Sequence, residues 1–195
     1  KAREVAGKEP IFRIFPYQKK KAGIVTTGSE VYYHRIEDKF TPVVIEKLKE
    51  CGVTEVKQIQ CNDDHEMITE AIQTLIEDGS DLIVCTGGMS VDPDDRTPLA
   101  IKNACTEVVT YGAPVLPGAM FMLAYCEKEG RQIPVMGLPG CVMYAKRTIF
   151  DLVLPRIMCD EKLHEKDFRL LGQGGLCLSC PVCTFPNCGF GKGGY

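Results

Sequence analysis

The stretch Asp81-Leu82-Ile83-Val84-Cys85-Thr86-Gly87-Gly88-Met89-Ser90 decides how this chain folds. Its first half is short, apolar on both alternating faces and bounded by turn formers, the signature of a central strand in a parallel sheet. The glycines that follow let a backbone approach a ligand closely. Upstream, a strand over Ala22 to Thr27 runs into Gly28-Ser29-Glu30. The next helix has Thr41 as its N-cap, Pro42 at its first position, Gly52 past its end and Val44, Leu48 and Cys51 on its apolar face. Thr54 to Gln60 alternates like a half-exposed strand, and Asp63-Asp64 opens a helix in which Ile68, Ile72, Leu75 and Ile76 recur at helical spacing before Gly79.

Downstream the rhythm continues. Thr97-Pro98 caps and starts a helix through Cys105, and a strand follows around Val108 to Tyr111. The last unit is a strand from Ile133 to Leu138, the turn Pro139-Gly140, and a helix buried through Val142, Ile149, Phe150, Val153 and Ile157. Pro155 should disturb its final turns. Strands and helices alternating in this way call for right-handed crossovers of helical length. The expected fold is therefore α/β, a three-layer αβα arrangement with a mostly parallel sheet, plus a small metal-binding C-terminal tail. The divisions are 1–20, a linker or the end of an upstream domain; 21–160, the principal domain; and 161–195, the Cys-rich tail.

The composition narrows the function. At 195 residues, 45% of them hydrophobic, the chain is long enough for one full core. A net charge of -3 supplies no basic field for a nucleic-acid backbone. No apolar run has the length of a membrane span and no signal pattern opens the chain, so the expected compartment is the cytoplasm. The chain begins at Lys1 rather than Met, as a piece cut from a longer parent would. Seven of the 11 cysteines (Cys51, Cys61, Cys85, Cys105, Cys126, Cys141 and Cys159) are scattered singly and read as small buried hydrophobes in a reducing compartment.

In open α/β sheets, ligands sit beyond the carboxyl ends of the strands. Three glycine-bearing segments fall there: Thr27-Gly28-Ser29-Glu30, Thr86-Gly87-Gly88-Met89-Ser90 and Gly137-Leu138-Pro139-Gly140. Any one could be a plain strand-to-helix turn, but three on one edge point to a phosphate or another anion held by backbone N–H groups. Carboxylates collect on the same edge: Glu30, Asp63, Asp64, Asp92, Asp94 and Asp95. A hard cation such as Mg²⁺ reconciles them with phosphate, because it takes oxygen from one or two carboxylates and from the ligand together. His34, His65 and His164 show no metal-ligand spacing and read as surface residues. Nucleophile-elbow and P-loop patterns are absent.

The stretch from Lys21 to about Met158 resembles the molybdopterin-binding domain of molybdenum cofactor biosynthesis proteins. Thr26-Thr27-Gly28-Ser29-Glu30-Val31 is similar to the S/T-T-G-D/S-E-L motif of the molybdenum-insertion branch. Asn62-Asp63-Asp64 is similar to the V-x-D-D segment, and residues 81–90 to the family's strand and Gly-Gly loop. Asp95-Arg96-Thr97-Pro98 resembles the R-D-x-T-P of the adenylyltransferase branch, while Pro117-Gly118 with Gly137-Leu138-Pro139-Gly140 resembles the P-G and L-P-G pair of the insertion branch. The family continues L-P-G with Asn or Gln and Pro, where this chain has Cys141 and Val142.

The resemblance implies a pterin with a dithiolene and a terminal phosphate. It undergoes adenylyl transfer from ATP in one branch, and molybdenum insertion from molybdate with release of AMP in the other. Asp63 and Asp95, joined by Glu30, would be the catalytic carboxylates. Thr27, Gly28, Ser29, Thr86, Gly87, Gly88, Met89, Ser90, Gly118, Pro139 and Gly140 would hold the ligand, and a homo-oligomer is implied. A non-catalytic module that stores, senses or hands on the cofactor is the alternative, as is the related domain of competence-damage proteins, acting on a nucleotide pyrophosphate.

The tail lies outside this resemblance. Cys177, Cys180, Cys183 and Cys188 have the spacing C-x2-C-x2-C-x4-C, four potential thiolates that suit Zn²⁺ or an iron–sulfur cluster. The spacing departs from the ferredoxin run by one residue and a missing proline, which tilts the reading to zinc.

Overall fold

The computed structural model describes residues 12–193 together with Lys1, Val5, Gly7 and Pro10. The remainder of the 1–20 segment lies outside the described residues. Six strands form one sheet in the order β2-β1-β3-β6-β5-β4. They are β1 (Lys21–Thr27), β2 (Glu55–Cys61), β3 (Leu82–Thr86), β4 (Glu107–Tyr111), β5 (Met122–Lys128) and β6 (Arg131–Leu138). β2, β1, β3 and β6 run parallel, and β5 is antiparallel to both its neighbours. β3 sits in the middle with all five residues buried, as its two-faced apolar pattern requires.

The helices are α1 (Ser29–Tyr32), α2 (Phe40–Glu50), α3 (His65–Glu77), α4 (Thr97–Ala104), α5 (Ile149–Met158) and α6 (Glu165–Leu170). α3 and α4 cover one face, burying Ile68, Ile72, Leu75 and Ile101 against Val25, Ile83, Cys85 and Val135. α2, α5 and α6 cover the other, burying Val44, Leu48, Phe150, Val153 and Phe168 against Ile24, Val84, Leu123 and Met136. This is the expected three-layer αβα arrangement. Among the described residues, no helix is long and apolar enough to cross a membrane.

Several local expectations are corrected. α2 begins at Phe40, and Asp38 rather than Thr41 caps it, its Oδ1 accepting the N–H groups of Phe40 and Thr41 at 2.9 and 3.0 Å. The Thr41 hydroxyl instead meets that of buried Thr26 at 2.8 Å. Thr97 is the first residue of α4 and makes no capping bond; the helix ends at Ala104, one residue before Cys105. Val142 falls in a separate 3-10 turn over Gly140–Met143, and α5 starts afresh behind a capping box formed by Thr148 and Asp151. Pro155 lies inside α5 without ending it, because burial of Val153, Leu154, Ile157 and Met158 holds the last turns in place. The scattered cysteines are buried as expected at Cys51, Cys61, Cys85 and Cys126, while Cys105, Cys141 and Cys159 are half-buried.

Candidate functional site

The parallel strands and β4 deliver Thr27, Cys61, Thr86, Leu138 and Tyr111 to one edge, where the glycine segments also fall. Thr27 Oγ1 lies 3.1 Å from both the Thr86 carbonyl and Thr97 Oγ1, tying the ends of β1 and β3 to the start of α4. That contact leaves room for no side chain at position 87. A Cβ on Gly87, at φ +87°, would stand 2.3 Å from the Thr27 carbonyl oxygen. Thr27 and Thr86 are therefore the buried frame of the edge, and Gly87 is the point where two loops touch.

Two aspartates organise that edge in the same way. Asp63 Oδ2 accepts the backbone N–H and the hydroxyl of Ser29, at 2.8 and 3.0 Å. Asp95 Oδ2 accepts the same two groups from Ser90, at 2.6 and 2.8 Å. Asp64 takes the cap of α3, with Oδ1 accepting the Met67 N–H at 2.9 Å, so the adjacent pair divides its labour. Asp92 accepts the Asp94 N–H within the exposed loop. Glu30 is exposed on α1, one residue beyond Ser29.

A cavity of about 590 Å³ opens beside β6 and β3. It brings together Met89, Ser90, Gly118, Pro139 and Gly140 of the sequence expectation, and adds Leu116, Met120, Cys141 and Cys177. Gly118 is tightly placed, since a Cβ there would stand 2.4 Å from Ile149 Cγ2 at φ +125°. Gly28, Ser29, Glu30 and Asp63 do not line this cavity; they stand at the ends of β1 and β2 on the same edge. Tyr111 was not among the expected residues. Its hydroxyl donates to the Ser90 carbonyl at 3.3 Å, and burial followed by the charge of Asp95 pushes its pKa up. The only sequence signal for it was its position at the end of a strand.

Two buried side-chain atoms on this edge have no hydrogen-bond partner among the described residues, Asn62 Oδ1 just after β2 and Thr86 Oγ1 at the end of β3. A buried polar atom without a partner is costly and uncommon, and a bound molecule is one way to satisfy it. Among the described residues, no three His, Cys, Asp or Glu side chains are grouped to hold a metal ion. Glu30, Asp63 and Asp95 therefore do not form a cation cage by themselves, and no three of Cys177, Cys180, Cys183 and Cys188 are grouped to hold a single ion. Both serine contacts use Oδ2 of their aspartate, which leaves each Oδ1 available.

A "CinA-like protein" of Mycobacterium sp. (strain MCS) is 35% identical over 85 residues, which are 44% of this chain and 20% of that protein. A second, from Mycobacterium avium (strain 104), is 34% identical over 95 residues, 49% of this chain and 22% of the other. The chain thus spans about a fifth of the length of these curated relatives. The solved tungsten cofactor synthesizing protein MoaB from Pyrococcus furiosus has a TM-score of 0.55 at 22% identity, covering 64% of this chain and 84% of its own. A molybdopterin biosynthesis protein from Mycobacterium abscessus has a TM-score of 0.56 at 18% identity, with coverages of 72% and 92%. At those identities the structures show a shared fold. Residues 23–158, more than half of the chain, match the family described as "Probable molybdopterin binding domain", and the chain belongs to that family.

Proposed function

We propose that this edge binds molybdopterin, with the terminal phosphate near Ser29 and Ser90 and the pterin in the cavity beside Gly118, Pro139 and Gly140. The orphaned Thr86 hydroxyl at the end of the central strand carries this reading, together with the family membership. Asp63 and Asp95 each fix a serine through one oxygen and offer the other to Mg²⁺, which would supply charge neutralisation between phosphate and carboxylates. Ser29 and Ser90 orient the ligand, while Glu30 stands at the rim. The step so assisted is adenylyl transfer from ATP to the pterin phosphate, or insertion from molybdate with AMP released, carried out by a homo-oligomer.

Calorimetric titration with molybdopterin, with and without Mg²⁺, tests the reading. Saturable binding that depends on Mg²⁺ in the wild type and not in Asp63→Ala or Asp95→Ala is expected. No binding to folded protein would overturn it. Turnover of ATP dependent on the pterin separates the enzyme from a module that only carries or senses the cofactor. A second reading rests on the likeness to CinA-like proteins over 85 residues. It assigns the edge to a nucleotide pyrophosphate, and hydrolysis of ADP-ribose by the wild type would favour it.

A further inference from the structure

The tail is not a loose extension. Leu176 pairs with Leu116 in a parallel bridge, with Leu116 N–H donating to Gly175 at 2.6 Å and Cys177 N–H to Leu116 at 2.8 Å. Its far end is anchored by Phe190, which is 3% exposed and packed into the α2/α5 core. Between these anchors, the guanidinium of Arg147 lies over the Phe185 ring, 5.2 Å from its centroid. Gly174 carries no side chain because a Cβ there would meet the Lys192 carbonyl at 2.1 Å, so the two ends of the tail close on each other.

The loop closed in this way surrounds a cavity of about 580 Å³, and Cys177, Cys180, Cys183 and Cys188 all line it. Lys146 and Arg147 contribute to the same wall, facing the negative charge that four thiolates would bring. Tetrahedral zinc at a Zn–S distance of about 2.3 Å requires four sulfurs within roughly 4 Å of one another. Among the described residues, no three of these thiols are grouped to hold a single ion. A cuboidal cluster instead keeps its thiolate ligands apart at separate corners, and it is built on runs in which the first three cysteines have this C-x2-C-x2-C spacing.

We propose that the tail cavity binds a [4Fe–4S] cluster through Cys177, Cys180, Cys183 and Cys188. The cluster would border the cofactor cleft, because Pro117, Leu176 and Cys177 line both cavities. This site stands independently of what the cleft binds.

The test is anaerobic reconstitution of the full chain with ferrous iron and sulfide, followed by gel filtration, metal and sulfide analysis, and visible absorption. About four iron and four sulfide ions per chain are expected, with a broad charge-transfer band. Cys180 and Cys183 are exposed, so Cys180→Ser and Cys183→Ser should leave the circular dichroism spectrum unchanged while reducing bound iron at least about twofold. Asp63→Asn should keep the cluster, which separates this result from any failure of ligand binding in the cleft. Uptake of one zinc ion with no iron–sulfur incorporation would overturn the proposal, as would folded protein that takes up no metal or a cluster retained undiminished by the Cys180/Cys183 double variant.

Discussion

Asp95 holds Ser90 by two groups at once, its Oδ2 accepting the backbone N–H at 2.6 Å and the hydroxyl at 2.8 Å. The carboxylate therefore sets the shape of the Gly-Gly loop as well as presenting charge at the strand edge. Hydrogen bonds to charged groups contribute roughly 1.5–3 kcal/mol each. Asp95→Ala is expected to weaken binding of the phosphate-bearing ligand about 10- to 100-fold, measured by calorimetry, since each tenfold corresponds to about 1.4 kcal/mol. Asp95→Asn can still accept from Ser90, so it should keep more of the affinity but lose the Mg²⁺ dependence.

Lys47 and Asp151 form a buried ion pair between α2 and α5, each residue 8% exposed, with Nζ 2.7 and 2.9 Å from the two carboxylate oxygens. Asp151 also accepts the Thr148 N–H at 2.8 Å, so the same carboxylate begins α5. Lys47→Ala removes one partner, but Arg147 stays 2.8 Å from Asp151 Oδ1, so the cost is about 1.5–3 kcal/mol, that of a charged hydrogen bond and below that of an unpaired buried charge. Urea denaturation should show a loss of that order, with Asp151→Ala at least as severe because it also removes the capping box.

Burial by itself would raise the pKa of Asp38, but hydrogen bonds from the Thr41 hydroxyl, from the Thr41 and Phe40 N–H groups and from Gln58 outweigh it and hold the carboxyl below its ordinary value. A carboxyl depressed in the folded state stabilises that state above its unfolded pKa, and the contribution fades as pH falls through the folded value. Asp38→Ala should cost about 1 kcal/mol near neutrality through loss of the cap. The difference from wild type should shrink in the acid limb of a denaturation series run from pH 7 down towards pH 2. A difference that grows with acidification would contradict this assignment.

Thiol chemistry should sort the cysteines by burial. Desolvation pushes Cys61 up to about 11 and raises fully buried Cys85 further, whereas Cys180 and Cys183 are exposed. A shift of this size lowers the thiolate fraction of Cys61 about 100-fold, before any steric protection. In metal-free protein, alkylation followed by peptide mass spectrometry should mark Cys180 and Cys183 first and reach Cys61 and Cys85 only with denaturant. Early labelling of Cys85 would show that the α3/α4 face opens more readily than its packing implies.

The central strand, the glycine ends and the buried face of α3 could be read directly, because Leu82 to Thr86 is apolar throughout and Ile68, Ile72 and Leu75 repeat at helical spacing. β5 could not. Met122 to Cys126 is buried, yet the run is short, and its link to β6 is Glu129-Gly130, both at positive φ, without the Asn or Asp that usually marks so tight a hairpin. The cap of α2 was misassigned because Asp38 and Thr41 both suit the role, and the hydroxyl pairing of Thr41 with Thr26 depends on a strand distant in sequence. The contact of Tyr111 with Ser90 was hidden for the same reason, since it exists only once β4 is placed parallel to the central strands at the far side of the sheet.

The Leu116–Leu176 bridge changes where this protein can be cut. Leu176 and Cys177 form part of the cleft wall, and Phe168 and Phe190 belong to the same core as Phe150 and Val153, so a truncation at residue 160 would unroof the cavity and take two aromatic rings out of that core. The smallest piece that preserves the cleft therefore runs past Phe190, and swapping the tail between relatives would remodel the pocket along with it.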